Sequence, residues 1–203
     1  MTGKPVRTRE FKAAGSARVQ GDLEAEEAKV AGSCSFDGNV QVLEFRTSGA
    51  SRIAGDLKAE EVESSGSLQV GGNVQAPEIV TSGSLQVGGR VEAEQFHASG
   101  AVRIGGELKA VEVYIELGGT SSIPTIRAEE IRVRSTGGFL RSRGDLTADR
   151  IEGTEVNLEG TTAEFVKGEE VRIGPHCKIG VVEAQELVVH ESSEVRERRT
   201  GPA

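Results

Sequence analysis

Three groups of residues in this 203-residue chain combine reactive side chains with a recurrent or clustered spacing. The segment IGPHCKIG, residues 173–180, sets His176 beside Cys177, and an imidazole in such a turn has the right chemistry for a general base. A second group is a column of carboxylates at 17-residue steps: Glu27, Glu44, Glu61, Glu78 and Glu112, with Gln95 in the one intervening place. Like charges stacked in this way attract cations or a basic partner surface. The third is RVRSTGGFLRSRG, residues 132–144, where Arg132, Arg134, Arg141 and Arg143 surround Phe139 and Leu140. An apolar tip among guanidinium groups suits an anionic membrane surface or an acidic partner.

What positions these groups is a rhythm of glycines. Gly15, Gly32, Gly49, Gly66, Gly83 and Gly100 are 17 residues apart, and Gly21, Gly38, Gly55, Gly72, Gly89 and Gly106 follow at a constant offset. Six cycles without insertion mean that each block takes the path of the one before, as in solenoids. Between the glycines run paired apolar columns, such as Ala17, Cys34, Ser51, Leu68, Leu85, Val102 with Val19, Phe36, Ile53, Val70, Val87, Ile104. Within each pair one polar residue separates two apolar ones, the period-two signature of a strand with one buried face. The expected fold is all-β: a single-domain, three-sided β-helix with three short strands per coil and corners between them. A pair of α-helices does not fit in so short a repeat, and two glycines per cycle would cost a helix about 1 kcal/mol each.

The regular repeats run over 11–116. From 117 to 195 the spacing loosens: LKAVEVYI (108–115) returns as IRAEEIRV (126–133), LTADRIEG (146–153), VKGEEVRI (166–173) and VEAQELVV (182–189), which predicts longer corners. About ten coils stacked at the interstrand distance make a rod on the order of 45–50 Å long. Residues 1–10 are expected to form a short flexible tail and 196–203 a second one.

Set against these columns, the reactive residues lose most of their catalytic promise. The IGPHCKIG segment fits one hexapeptide of the left-handed β-helix acyltransferases, whose inward residues recur at every sixth position. Here the inward steps are 4, 2, 3, 2, 4 and 2. His97 falls on an outward column, His190 lies near the final coil, and neither has an Asp or nucleophile placed beside it. No phosphate-cradling loop and no Cys/His metal spacing occurs. The expectation is therefore no enzyme, no cofactor and no metal.

Composition sets further bounds. Aromatic residues are 3 % of the chain and Trp is absent, so the interior is narrow, filled by stacked Val, Ile, Leu and Ala. A net charge of −8 argues against non-specific nucleic-acid binding. No apolar run approaches a membrane span, and no signal-peptide pattern opens the sequence. Cys34 and Cys177 share an inward column about eight coils, roughly 38 Å, apart. That is far beyond the 7 Å or so over which a disulfide closes. Two unpaired thiols suit a reducing cytoplasm.

A stacked β-helix leaves a strand edge at each end unless something caps it. At one end Phe11 and Ala13 occupy inward columns a cycle early; at the other, Leu187 and Val189 close the last clear coil. With neither end shielded by the tails, these four residues are the expected contacts between stacked subunits.

The blocks GSLQVGGNVQAPEI and GASRIAGDLKAEEV resemble the bactofilins, polymer-forming bacterial cytoskeletal proteins. IELGGTSSIPTIRAEEIRVR, LTADRIEGTEVNLEGT and VRIGPHCKIGVVEAQELVV resemble the longer, Bacillus-type members. The resemblance covers roughly 11–195 and rests on the repeat together with its irregular continuation. It implies a right-handed β-helix that polymerises without nucleotide into non-polar filaments, joined head to head and tail to tail. It also implies a scaffold for cell-shape, cell-wall, polarity or motility machinery in the cytoplasm or at the inner face of the membrane. Expected partners are further copies of the chain, a paralogous bactofilin, and cell-wall or motility proteins. The alternatives are a non-polymerising interaction module and, more remotely, an acyltransferase.

Overall fold

The computed structural model describes residues 5–135 and 144–200. Among these no helix occurs. All 23 strands pair in parallel in one continuous sheet, wound into a solenoid of about eleven turns. The 17-residue register holds throughout the regular half: Phe11 stacks on Ala28, then Phe45, Val62, Ile79, Phe96 and Val113. Like residues therefore lie over like residues, and the inward columns form one unbroken core. Phe36, Phe45, Phe96, Leu23 and Leu108 are wholly buried within it. The rings of Phe11, Phe36 and Phe45 form a chain with centroids 5.6 and 6.2 Å apart.

The expectation of three separate strands per coil needs correction. Two of the three run together through the first glycine of the repeat, as in Glu27–Phe36, and the third is the two-residue Val40–Gln41. They separate in the following coil, as Glu44–Thr47 and Ala50–Ile53. The joined strands survive because the glycine bends the chain without leaving the ladder. Gly83 has φ 129°, yet stays in register between Gly66 and Gly100. A Cβ at Gly83 would collide with the Gly66 carbonyl, so the corner requires glycine for both angle and space.

Inward polar residues are satisfied locally. Thr47 and Ser51 share a buried hydroxyl–hydroxyl bond of 2.8 Å, and Ser121 Oγ accepts the Val102 N–H at 3.0 Å. Cys34 and Cys177 are both buried and unpaired in the same column, as expected, and burial raises both thiol pKa values.

The second half departs from the expected alignment. Ile126 stacks on Ile151, not on Leu146, while Leu146 takes its place over Ser121 on another face. The coil that contains residues 136–143 is consequently the long one, and those after it are shorter than 17: Val156 pairs with Val171 and Val166 with Val182. The ladder also reaches beyond the expected boundaries. Val6–Arg7 pairs with Leu23–Glu24, and Glu194–Thr200 lies on the preceding strand, so paired residues extend into both expected tails.

Candidate self-association surfaces

The first coil presents an edge with no partner strand among the described residues. Of its inward side chains, Phe11 and Ala17 are half-buried and Val6 is 38 % exposed. Ala13, at 7 % exposure, offers little surface of its own. Phe11 is held in place by its contact with Phe36. Arg7, Arg9, Lys12 and Arg18 surround this edge; each has an acidic partner, Glu24, Glu26, Glu10 and Asp37 respectively. Alongside, a shallow groove of about 420 Å³ runs between Lys12, Lys29 and Arg46 and the small residues Ala14, Ala31 and Ser48.

At the far end no described strand stacks on Leu187 or Val189. Both are half-buried on the last full coil, with Val188 between them 62 % exposed. One more strand, Glu194–Thr200, follows on two of the three faces. Val195 stacks on Ile179, but Arg198 stands over Val182 and Thr200 over Ala184. The column from Val6 to Val182 thus ends in a guanidinium. The strand is almost wholly exposed and carries charges of both signs at Glu194, Arg196, Glu197, Arg198 and Arg199. Arg199 binds Glu197 at 2.8 Å and holds its carboxyl below the usual range.

The acidic column is longer than expected. Register extends it to Glu10 at the start and to Glu130, Glu155, Glu170 and Glu186 at the end. Repulsion along it is relieved two residues further on in the same strands. Lys12 meets Glu10, Lys29 meets Glu27, and Arg46 reaches Glu44 and Glu61. Arg132 meets Glu130 and Arg172 meets Glu170. The Lys29 ammonium holds the Glu27 carboxyl below its ordinary value.

Of the arginine-rich segment, Arg132 and Arg134 are on the strand Glu130–Ser135; Phe139, Leu140, Arg141 and Arg143 lie outside the described residues. Arg132 and Arg134 line a groove of about 470 Å³ together with Tyr114, Asn157 and Arg172. Its guanidinium groups would suit carboxylate or phosphate groups.

His176 and Cys177 sit at a corner whose bonds are structural. His176 is exposed, at φ 61°, and its N–H meets Ser192 Oγ at 3.3 Å. The Cys177 N–H donates to Ser193 Oγ, and the thiol points inward to the Leu158 carbonyl at 3.4 Å. Buried Ile173, Cys177, Ile179 and Val182 follow one another at steps of 4, 2 and 3. His97 lies 3.5 Å from Glu112 and edge-on to Tyr114; the His190 ring bonds to Ser192 and its backbone N–H donates to the Ile173 carbonyl.

Sequence reasoning missed one ladder. The residue after the second glycine alternates Asp22, Asn39, Asp56, Asn73, and each side-chain oxygen accepts the backbone N–H of the next member. Those bonds are 2.7, 2.9, 2.6 and 3.0 Å long, the last reaching Arg90. Alternation keeps carboxylates two coils apart while preserving an acceptor in every coil. Its signal, an acid and an amide taking turns at 17-residue intervals, is legible in the chain.

No family model matches the chain, and no solved structure matches it. A stretch of 68 residues is 46 % identical to the Uncharacterized protein YhbF of Bacillus subtilis (strain 168). The match takes in 34 % of this chain and spans about a quarter, 26 %, of that relative.

Proposed function

We propose that this protein is a structural subunit of bactofilin type that assembles end to end, without nucleotide, into a filament serving as a scaffold. The observation that supports this most is the ladder itself. It keeps parallel register from Val6 to Thr200 and offers a partnerless strand edge at either limit of the described residues. Such edges are templates for pairing with another chain.

In this reading the two junctions differ in chemistry. At the Phe11 end, half-buried Phe11 and Ala17 close against a second copy and leave water. At the other end, the strand Glu194–Thr200 pairs antiparallel with its own copy about a two-fold axis between Arg196 and Glu197. That register sets Glu194 opposite Arg199 and Arg196 opposite Glu197, reciprocally, as a symmetric contact requires. Filaments built so have no polarity. Association with the membrane or with cell-wall and motility proteins belongs to the same proposal.

Negative-stain microscopy of the untagged protein over a salt series tests it. Filaments that lengthen as the C-terminal charge pairs strengthen at low salt support the reading; monodisperse rods at every salt reject it. The second reading, a rigid interaction module that does not polymerise, is favoured by Arg198 at the end of an apolar column. A single monomeric boundary in sedimentation at high concentration would select it.

A further inference from the structure

One corner of the rod carries a column that end-to-end contact leaves free. Its residues hydrogen-bond directly through the backbone: Leu43 N–H to the Glu26 carbonyl at 2.9 Å, Glu60 to Leu43 at 2.9 Å, Glu94 to Pro77 at 2.9 Å. Val111 continues to Glu94 at 3.0 Å and Glu129 to Val111 at 2.9 Å. Pro77 has no N–H to give, and Glu78 takes over its bond to the Glu60 carbonyl. The side chains alternate strictly. Glu26, Glu60, Glu94 and Glu129 take turns with Leu43, Pro77 and Val111.

Glu26 pairs with Arg9 at the start of the column, but beyond it, among the described residues, both halves of the alternation lack an ion-pair partner. Among the described residues, Glu60, Glu94 and Glu129 make no ion pair, and Glu78 on the adjoining column makes none either. Leu43 is 53 % exposed and Val111 48 %; Val80, three residues beyond Pro77, is 36 % exposed. Leu43 and Val111 are two of the five large hydrophobics most exposed among the described residues and share this corner, while Val80 stands on the adjoining outward column between Glu63 and His97. Separation of the carboxylates alone would be met by Gln or Ser. Exposed apolar groups at every second coil call for a partner with matching apolar groups.

The spacing identifies that partner's shape. Two coils advance about 9.6 Å. A heptad of α-helix advances about 10.5 Å, and its i, i+3/i+4 and i+7 positions share one face. We propose that this corner docks a basic amphipathic α-helix of a partner protein. Apolar residues at heptad spacing rest on Leu43, Pro77 and Val111, and Lys or Arg midway between them meet Glu60 and Glu94. Over the two heptads from Leu43 to Val111 the mismatch is about 2 Å, within reach of long side chains. The strip faces sideways, so the inference does not depend on filament formation. A second copy of this chain has no helix among its described residues to lie there.

The test uses the full chain and a fluorescently labelled three-heptad peptide with Leu at each heptad position, Arg midway and Ala elsewhere. A control peptide has the same composition with the stripe permuted. Anisotropy should show saturable binding with a gain of helical circular dichroism. Binding should be at least about tenfold weaker for the permuted peptide, for Leu43→Ser/Val111→Ser and for Glu60→Gln/Glu94→Gln. All substituted positions are exposed, and filament formation by each variant is scored separately by microscopy. Absence of binding, equal affinity for the permuted peptide, or indifference to the apolar pair overturns the proposal. Loss of lateral self-association in Leu43→Ser/Val111→Ser, without a change in peptide affinity, would assign the strip to copies of the chain instead.

Discussion

Arg198 stands in register on Val182, closing with a charge a column that is apolar from Val6 onward. The first coil opens the same solenoid with Phe11 and Ala17 half uncovered. The two ends of the rod therefore differ in chemistry, and the proposed junctions at each can be tested separately.

Phe11→Arg should abolish the junction at the apolar end, since an unpaired charge cannot be buried there without a partner. Together with an intact ionic end it should leave dimers, not monomers, in sedimentation velocity. The far-ultraviolet β signal should be retained. Long filaments from this variant would remove Phe11 from the interface.

At the ionic end, Glu194→Arg should have the mirror effect, because it sets Arg opposite Arg199. Combined with Arg199→Glu, pairing is restored in reversed sense and filaments should return. Combined with Phe11→Arg it should yield monomers. A double charge reversal that behaves no better than the single change would rule out the antiparallel register.

Gly83→Ala should destabilise the fold itself. Its φ of 129° disfavours any side chain, and the new methyl group would meet the Gly66 carbonyl. A loss of about 2 kcal/mol or more is expected, read as a lower unfolding midpoint in urea. A midpoint equal to that of the parent protein would mean that the corner can relax.

Asp56→Ala removes one acceptor from the Asp/Asn ladder and exposes the Asn73 N–H, at a cost of about 1 kcal/mol. Asp56→Asn keeps the acceptor and should cost less. Equal unfolding midpoints for the Ala and Asn variants would show that the ladder contributes little.

Acid should weaken the fold in part through Glu152. Burial pushes its carboxyl pKa up, but hydrogen bonds from Arg150 and Arg127 outweigh this and leave it below its ordinary value. Arg127 also reaches Glu107, at 2.8 Å, tying together the coils on either side of the long one. A carboxylate with a lowered folded pKa stabilises fully above its unfolded pKa, and that contribution is lost as pH falls through the folded value. The difference in melting temperature between the parent and Glu152→Gln should therefore be largest near neutrality and shrink in acid. A difference that is constant with pH would contradict the assignment.

Much of this protein could be read directly from its residues. Six cycles of identical length leave one register for Phe11 to Val113, because slipping a strand by one residue would turn every apolar side chain outward. The inward and outward columns of the regular half and its acidic corner follow from that. The limits of such reading appear where the cycle length changes. LTADRIEG contains two apolar pairs of the same period, so the chain alone cannot say whether Leu146 or Ile151 belongs over Ile126. Folding resolved it through the backbone ladder and the ion bridge from Arg127 to Glu152, which favour Ile151. The merging of two strands through Gly83, and the guanidinium of Arg198 over Val182, were likewise decided in three dimensions. Period-two patterning specifies which way a side chain points, but not which coil it lands on once insertions intervene; only the closed ladder supplies that.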